Sequence, residues 1–250
     1  LRLLALIALA AAAFAAPAHA ETAKIAVASN FIQAAKEIGE AFENETGHQT
    51  VFSFGATGQL YAQIAHGAQF DIFLAADQAR PQKAADEGLA LPDSLFTYAK
   101  GRLVLYSADP ALVSGEETLR AARFHKIAIA NPVTAPYGAA AIEVMRALGV
   151  YDVLQGKLVQ GANIAQAYQF VATGNAETGF VALSQVIGRE AGSRWLAPPT
   201  LHAPLAQDAV LLKPGEDNGA ARAFLDFLKS PAARAIIRRH GYDLDAPAGE

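Results

Sequence analysis

The chain of 250 residues contains no cysteine, which excludes disulfides, thiolate nucleophiles, Cys-ligated zinc and iron–sulfur clusters. Its formal charge of −4, with 18% charged residues, is mildly acidic and offers nothing like the basic face a nucleic-acid partner selects. At 52% hydrophobic residues and this length, the chain can bury one large core or two small ones.

Arg2 is followed by the apolar run from Leu3 to Ala16 and then by Ala18-His19-Ala20. That order predicts a secretory signal over residues 1–20, cleaved after Ala20. The run is too short to span a bilayer, and no later stretch reaches the roughly 18 apolar residues a spanning helix needs. Without a cysteine to carry a lipid anchor, the expected mature form is free in the periplasm.

Beyond the signal, short β-branched and apolar runs alternate with segments of helical period. Strands are predicted at 24–28, 50–54, 71–75, 102–107, 126–130, 178–182 and 208–212. Phe31, Ala35, Ile38 and Phe42 put one apolar stripe on a helix ending near Gly47. Further stripes run through Leu60 and Ile64, through Ile142 and Met145 towards Gly149, and through Ala221, Leu225 and Leu228. The alternation predicts an α/β fold with parallel, doubly wound sheets. About eight strands suit two small sheets better than one. Pro92 and the Phe96 to Gly101 segment predict a first crossing between lobes, and Pro204 to Asp208 a return. Residues 21–100 with 206–250 then form one lobe and 101–205 the other.

In open α/β sheets, ligands bind beyond the carboxyl ends of the strands, where helix N-termini point. Four junctions here share one character: Ala28-Ser29-Asn30, Gly55-Ala56-Thr57-Gly58, Ala135-Pro136-Tyr137-Gly138 and Ala162-Asn163-Ile164-Ala165. Each helix start offers unpaired backbone N–H groups and a partial positive charge. Ser29, Thr57 and Tyr137 add hydroxyls, Asn30 adds an amide, and no Lys or Arg lies in any of the turns. Such a set suits a compact, fully deprotonated oxyanion, and no Asp stands there to accept a proton from a protonated one. Taken singly, each turn is more often ordinary structure: Ser, Thr and Asn as helix caps, Tyr137 as a half-buried aromatic, Ile164 as core with only its backbone N–H of interest.

At these turns the sequence resembles the molybdate-binding proteins of ABC importers, from Lys24 to Tyr242. The resemblance is carried by Val27-Ala28-Ser29-Asn30-Phe31, Gly55-Ala56-Thr57-Gly58-Gln59-Leu60, Phe70-Asp71-Ile72-Phe73-Leu74-Ala75-Ala76-Asp77, Ala130-Asn131-Pro132 with Ala135-Pro136-Tyr137-Gly138, Gly161-Ala162-Asn163-Ile164-Ala165-Gln166-Ala167 and Gly179-Phe180-Val181-Ala182. It implies a two-lobed periplasmic-binding-protein fold, with two doubly wound sheets joined by a hinge and the ligand cleft between them. Molybdate, and tungstate with it, would be held there by neutral donors and passed to the permease of an ABC transporter in the inner membrane. By motif, Ser29 and Asn30 contribute from the first turn, Thr57 from the second, Tyr137 its hydroxyl and Ile164 its backbone N–H. The metal is bound through its oxygens, with no direct protein ligand, no cofactor and no partner subunit, the protein acting as a monomer. Ala182 replaces a ligand-contacting tyrosine of one branch of the family, a role the resemblance gives to Tyr137. Thr57 stands where serine is usual.

Two alternatives remain in view. The same fold takes other anions, such as sulfate or a small carboxylate. A ferric-type site is disfavoured because the six histidines, at 19, 48, 66, 125, 202 and 240, form no ligand-spaced cluster. An enzyme would need a nucleophile elbow, a zincin motif or a Walker motif, and none is present. Asp71 and Asp77 could pose as paired acids, against a reading in which they cap a turn and the next helix.

Overall fold

Strand β1 (Thr22–Ala28) is buried along nearly its whole length, as it must be when helices cover both faces of its sheet. The computed structural model describes residues 20–245, so the expected signal segment lies outside the described residues except for Ala20. β1 pairs in parallel with β2 (Gln49–Gly55) and with β3 (Ile72–Leu74). Helix α1 (Ile32–Thr46) connects β1 to β2 and buries Ala35, Ile38 and Phe42, the stripe its spacing predicts. Gly47, at φ 73°, ends the helix by donating its N–H to the Glu43 carbonyl at 2.9 Å. A side chain at that left-handed position would meet its own backbone, which is why glycine stops the helix there.

One face of this sheet is covered by α1 and by the C-terminal helices, numbered α6 (Gly219–Leu228) and α7 (Pro231–Arg239) in chain order. Phe42 meets Phe224 and Phe227 edge to face, with ring centroids 5.3 and 5.6 Å apart. The other face carries α2 (Thr57–Ala65) and α3 (Ala79–Asp86), which bury Leu60, Ile64 and Ala84 against Phe73 and Val210.

The first sheet has the order β2-β1-β3-β10-β4, where β4 is Phe96–Gly101 and β10 is Leu205–Leu211. The second has the order β7-β6-β8-β5-β9, built from β5 (Leu103–Ser107), β6 (Ile127–Ala130), β7 (Leu158–Gly161), β8 (Thr178–Ala182) and β9 (Ser193–Leu196). Helices α4 (Pro136–Ala147) and α5 (Ile164–Ala172) pack on it.

Both sheets are mixed rather than wholly parallel. β10 runs antiparallel to β3 and β4, and β5 runs antiparallel to β8 and β9. The reason is the path between sheets. β4 leaves the first sheet at Gly101 and β5 starts in the second at Leu103, with no helix to bring the chain back to its starting end. A strand entering from the far end must run in reverse. The segment from Phe96 to Gly101, expected as a crossing, is therefore itself an edge strand. β7 and β9, four residues each, went unforeseen because so short a run carries little periodic signal. Beyond α7, Asp243 bridges back to Lys100 on β4. No described helix is long and apolar enough to cross a membrane.

Candidate functional site

The four junctions meet. Ser29, Asn30, Thr57, Tyr137 and Ile164 all line one small cavity between the two sheets, and the rest of its wall is Ala28, Gly55, Ala56, Ala76, Ala135 and Pro136. No charged side chain is among them. Ser29, Asn30, Thr57, Tyr137 and Ile164 are each less than 5% exposed.

Three of these four helix starts have no side-chain cap. Ala28 precedes the 3₁₀ turn Ser29–Phe31, Ala56 precedes α2 and Ala135 precedes α4, and none of the three has a side chain that can accept a bond from the first turn. Ser29, Asn30 and Thr57 are thus not the caps that their composition alone allowed. The first N–H groups of a helix have no intrahelical partner. At the fourth start Asn163 does cap α5, accepting from the Gln166 N–H at 3.1 Å. Ile164 follows as the first residue of that helix, so its own N–H has no intrahelical acceptor.

The hydroxyls are arranged as donors. Thr57 Oγ1 accepts from the Ala76 N–H at 3.0 Å, and Tyr137 Oη accepts from Gln207 Nε2 at 3.3 Å. With a lone pair so engaged, each keeps its own hydrogen to give. Ser29 Oγ has no protein partner among the described residues. Burial pushes the Tyr137 hydroxyl well above its ordinary pKa, so that hydrogen stays in place throughout the physiological range.

The Asn30 side chain is hydrogen-bonded within the protein. Its amide donates to Gln207 Oε1 at 2.9 Å and to Tyr242 Oη at 3.1 Å, while Oδ1 is buried with no hydrogen-bond partner. Both amide hydrogens are engaged inside the protein. The wall therefore holds one acceptor that the reading of the turns did not include.

Direct bonds hold the two halves together around the cavity. The Gly58 N–H reaches the Thr134 carbonyl at 2.8 Å, Arg80 Nη2 reaches the Val133 carbonyl at 3.0 Å, and Ser184 Oγ donates to the Asn30 carbonyl at 2.8 Å. Tyr242 Oη lies 2.7 Å from the same carbonyl and 3.0 Å from Ser184 Oγ. Ala182 does not line the cavity.

The two carboxylates weighed as paired acids do separate work. Asp77 accepts from the Arg80 N–H at 3.0 Å and pairs with the Arg80 guanidinium, capping the turn into α3. Asp71 accepts from the Lys24 N–H at 2.7 Å and from Asn218 Nδ2 at 3.2 Å. It ties β1 and the cap of α6 to β3 rather than capping a helix that follows it. Among the described residues no group of His, Asp and Glu is placed to hold a metal ion.

Reasoning from the turns missed Gln207, Tyr98 and Tyr242, which lie at no helix start, and Ser184, which lies at the start of the four-residue helix Leu183–Val186. Gln207 carried the one available signal, a polar side chain inside the apolar run of β10 that is 0% exposed.

Comparison with known proteins matches residues 23–243 to the family of bacterial extracellular solute-binding proteins. The molybdate-binding protein ModA of Rhodobacter capsulatus is 56% identical over 226 residues, which cover 90% of this chain and 90% of its own. That of Azotobacter vinelandii is 50% identical over 242 residues, 95% of this chain and 96% of its own. Among solved structures, a periplasmic molybdate-binding protein of Azotobacter vinelandii superposes with a TM-score of 0.87 at 40% identity, covering 90% of this chain and 100% of that one.

Proposed function

Since the chain belongs to the bacterial extracellular solute-binding proteins, and among them to the molybdate-binding proteins rather than to any enzyme family, we propose that it captures molybdate in the cavity between its sheets and delivers it to an ABC importer. The observation that carries this reading is the convergence of three uncapped helix starts and donor-configured hydroxyls on a cavity with no cationic wall. A dianion there is neutralised by dipoles and short hydrogen bonds.

In this reading Ser29 and Thr57 give hydroxyl hydrogens, Tyr137 gives its phenolic one, Ile164 gives a backbone N–H, and Asn30 shapes the wall. Tungstate, nearly the same size and shape, enters with molybdate. No cofactor is needed. The protein acts as a monomer in the periplasm, after removal of residues 1–20, and its partner is the permease in the inner membrane. Residues 21–100 with 206–250 form one lobe and 101–205 the other, hinged where β4 passes into β5 and where the chain returns to β10. A proton-bearing anion is the second reading, and Asn30 Oδ1 is its one point of support. Discrimination against sulfate and phosphate then rests on their smaller size.

Calorimetric titration with molybdate at about 20 and 200 mM salt tests the mechanism. The Debye length falls from about 20 to about 7 Å over that range, yet donors in a closed cavity act at hydrogen-bond range and are screened little. The expected affinity is micromolar or tighter and changes by less than about threefold. A hundredfold loss at the higher salt would mean that exposed cations hold the ligand and would overturn this account.

Tyr137→Phe removes one donor to a buried charge. Hydrogen bonds to charged groups are worth about 1.5 to 3 kcal/mol, so molybdate should bind about ten- to a hundredfold more weakly. The ligand-free protein should lose about 1 to 3 kcal/mol, from the acceptor denied to the buried Gln207 amide. An unchanged affinity by calorimetry removes Tyr137 from the site.

A further inference from the structure

We propose that Gln207 is a positioning residue of the anion site, its side-chain amide keeping the Tyr137 hydroxyl a donor towards the cavity and holding Asn30 in the wall. The inference rests on the reading of the cavity as an anion site.

Gln207 sits on β10, 0% exposed, at a register shift between β10 and β4. Gln207 pairs with Ala99 and Asp208 with Thr97, so Tyr98 is an extra residue of β4 opposite that step. Such bulges re-aim side chains beside functional sites. Here Tyr98 Oη stands 3.1 Å from Gln207 Oε1, and Asn30 Nδ2 donates to the same oxygen at 2.9 Å. Tyr98 Oη also lies 2.9 Å from the Ala75 carbonyl, so the Asn30 amide hydrogen is the donor that marks Oε1 as the accepting end of the Gln207 side chain. Nε2 is left to face Tyr137, where it donates at 3.3 Å.

That direction matters chemically. A phenol that accepts from an amide N–H has its hydrogen free, whereas one that meets a carbonyl or carboxylate gives its hydrogen away. Gln207 thus reaches from the first sheet to α4 on the second and presents Tyr137 with a donor rather than an acceptor, which leaves the phenolic hydrogen on the cavity side. Space is cleared for the contact as well. A Cβ on Gly101 would lie 2.0 Å from Tyr137 Oη and 2.6 Å from Gln207 Nε2, so glycine is what allows the hydroxyl and the amide to meet.

The test is molybdate affinity of Gln207→Glu and Gln207→Leu from pH 6 to 8.5, with ligand-free melting temperature as the folding control. The titratable groups around position 207 are Tyr98, Tyr137 and Tyr242, all buried tyrosines that stay protonated over this range, and Asp208 next along β10. Wild type should be flat with pH. In Gln207→Glu the carboxylate draws off the Tyr137 hydrogen and sets a negative charge beside the anion, so affinity should fall at least a hundredfold at pH 8.5. Burial and the anion both raise the pKa of that carboxyl, and affinity should recover at least tenfold by pH 6. Gln207→Leu should weaken binding about tenfold without a pH trend, and by less than threefold when Tyr137 is already Phe, because the two act through one hydrogen bond.

Affinity of Gln207→Glu within threefold of wild type at every pH overturns the proposal. A loss that is the same at every pH, or strict additivity of Gln207→Leu with Tyr137→Phe, overturns it too, since a merely structural residue behaves so. If Gln207→Glu does not fold, the Leu and Phe cycle decides alone. Wild type that fails to bind molybdate refutes the anion-site reading itself, an outcome distinct from these.

Discussion

Molybdate at millimolar concentration should raise the melting temperature of the protein by about 10 °C. A ligand that binds only the folded state adds RT ln(1 + [L]/Kd) to stability, about 4 kcal/mol when its concentration exceeds Kd a thousandfold. For a chain of 250 residues, each 1 kcal/mol moves the melting temperature by roughly 2 to 4 °C. Tungstate should do the same. Sulfate should do far less, because donors placed around a larger tetrahedron cannot all reach a smaller one. Differential scanning calorimetry with each anion reads the effect directly. No shift with either large oxyanion, beside a clear shift with a ferric salt or a sugar acid, would remove the proposed function and leave only the fold.

Gly138→Ala should be the most damaging single methyl group near the site. Gly138 is the third residue of α4, and a Cβ there would lie 2.2 Å from the Ala130 carbonyl oxygen and 2.8 Å from its carbon. Both are backbone atoms at the end of β6, so no side chain can swing aside. The helix must lift from the sheet. Overpacking of this kind costs about 3 kcal/mol, which lowers the melting temperature by about 6 to 12 °C. Because Tyr137 precedes Gly138 on the same turn, the molybdate-induced shift should shrink with it. Gly156→Ala is the control, since a Cβ there meets nothing within 4 Å. If Gly138→Ala melts within 1 °C of that control, α4 does not dock on β6 at this distance.

The sequence by itself determined the elements whose signal is local. Apolar runs too long to be half-exposed marked β1, β6 and β8, alternating four- and three-residue spacing marked the buried stripe of α1, and a glycine that alone tolerates φ 73° marked its end. It also determined which turns would matter. Helix starts that bring N–H groups and no charge are legible one turn at a time, and Ser29, Thr57, Tyr137 and Ile164 line the cavity beside Asn30. Only the tertiary structure decided what depends on residues far apart in the chain. The direction of β5 and β10 follows from where the chain crosses between sheets, which no window of residues contains. Whether Thr57 and Tyr137 donate or accept is set by the Ala76 N–H and by Gln207, 19 and 70 residues away. Asn30 is the clearest instance. Its amide is free to bind a ligand in any reading of the turn alone, and it is taken up by Gln207 and Tyr242 because folding brings residues 177 and 212 positions away within hydrogen-bond reach.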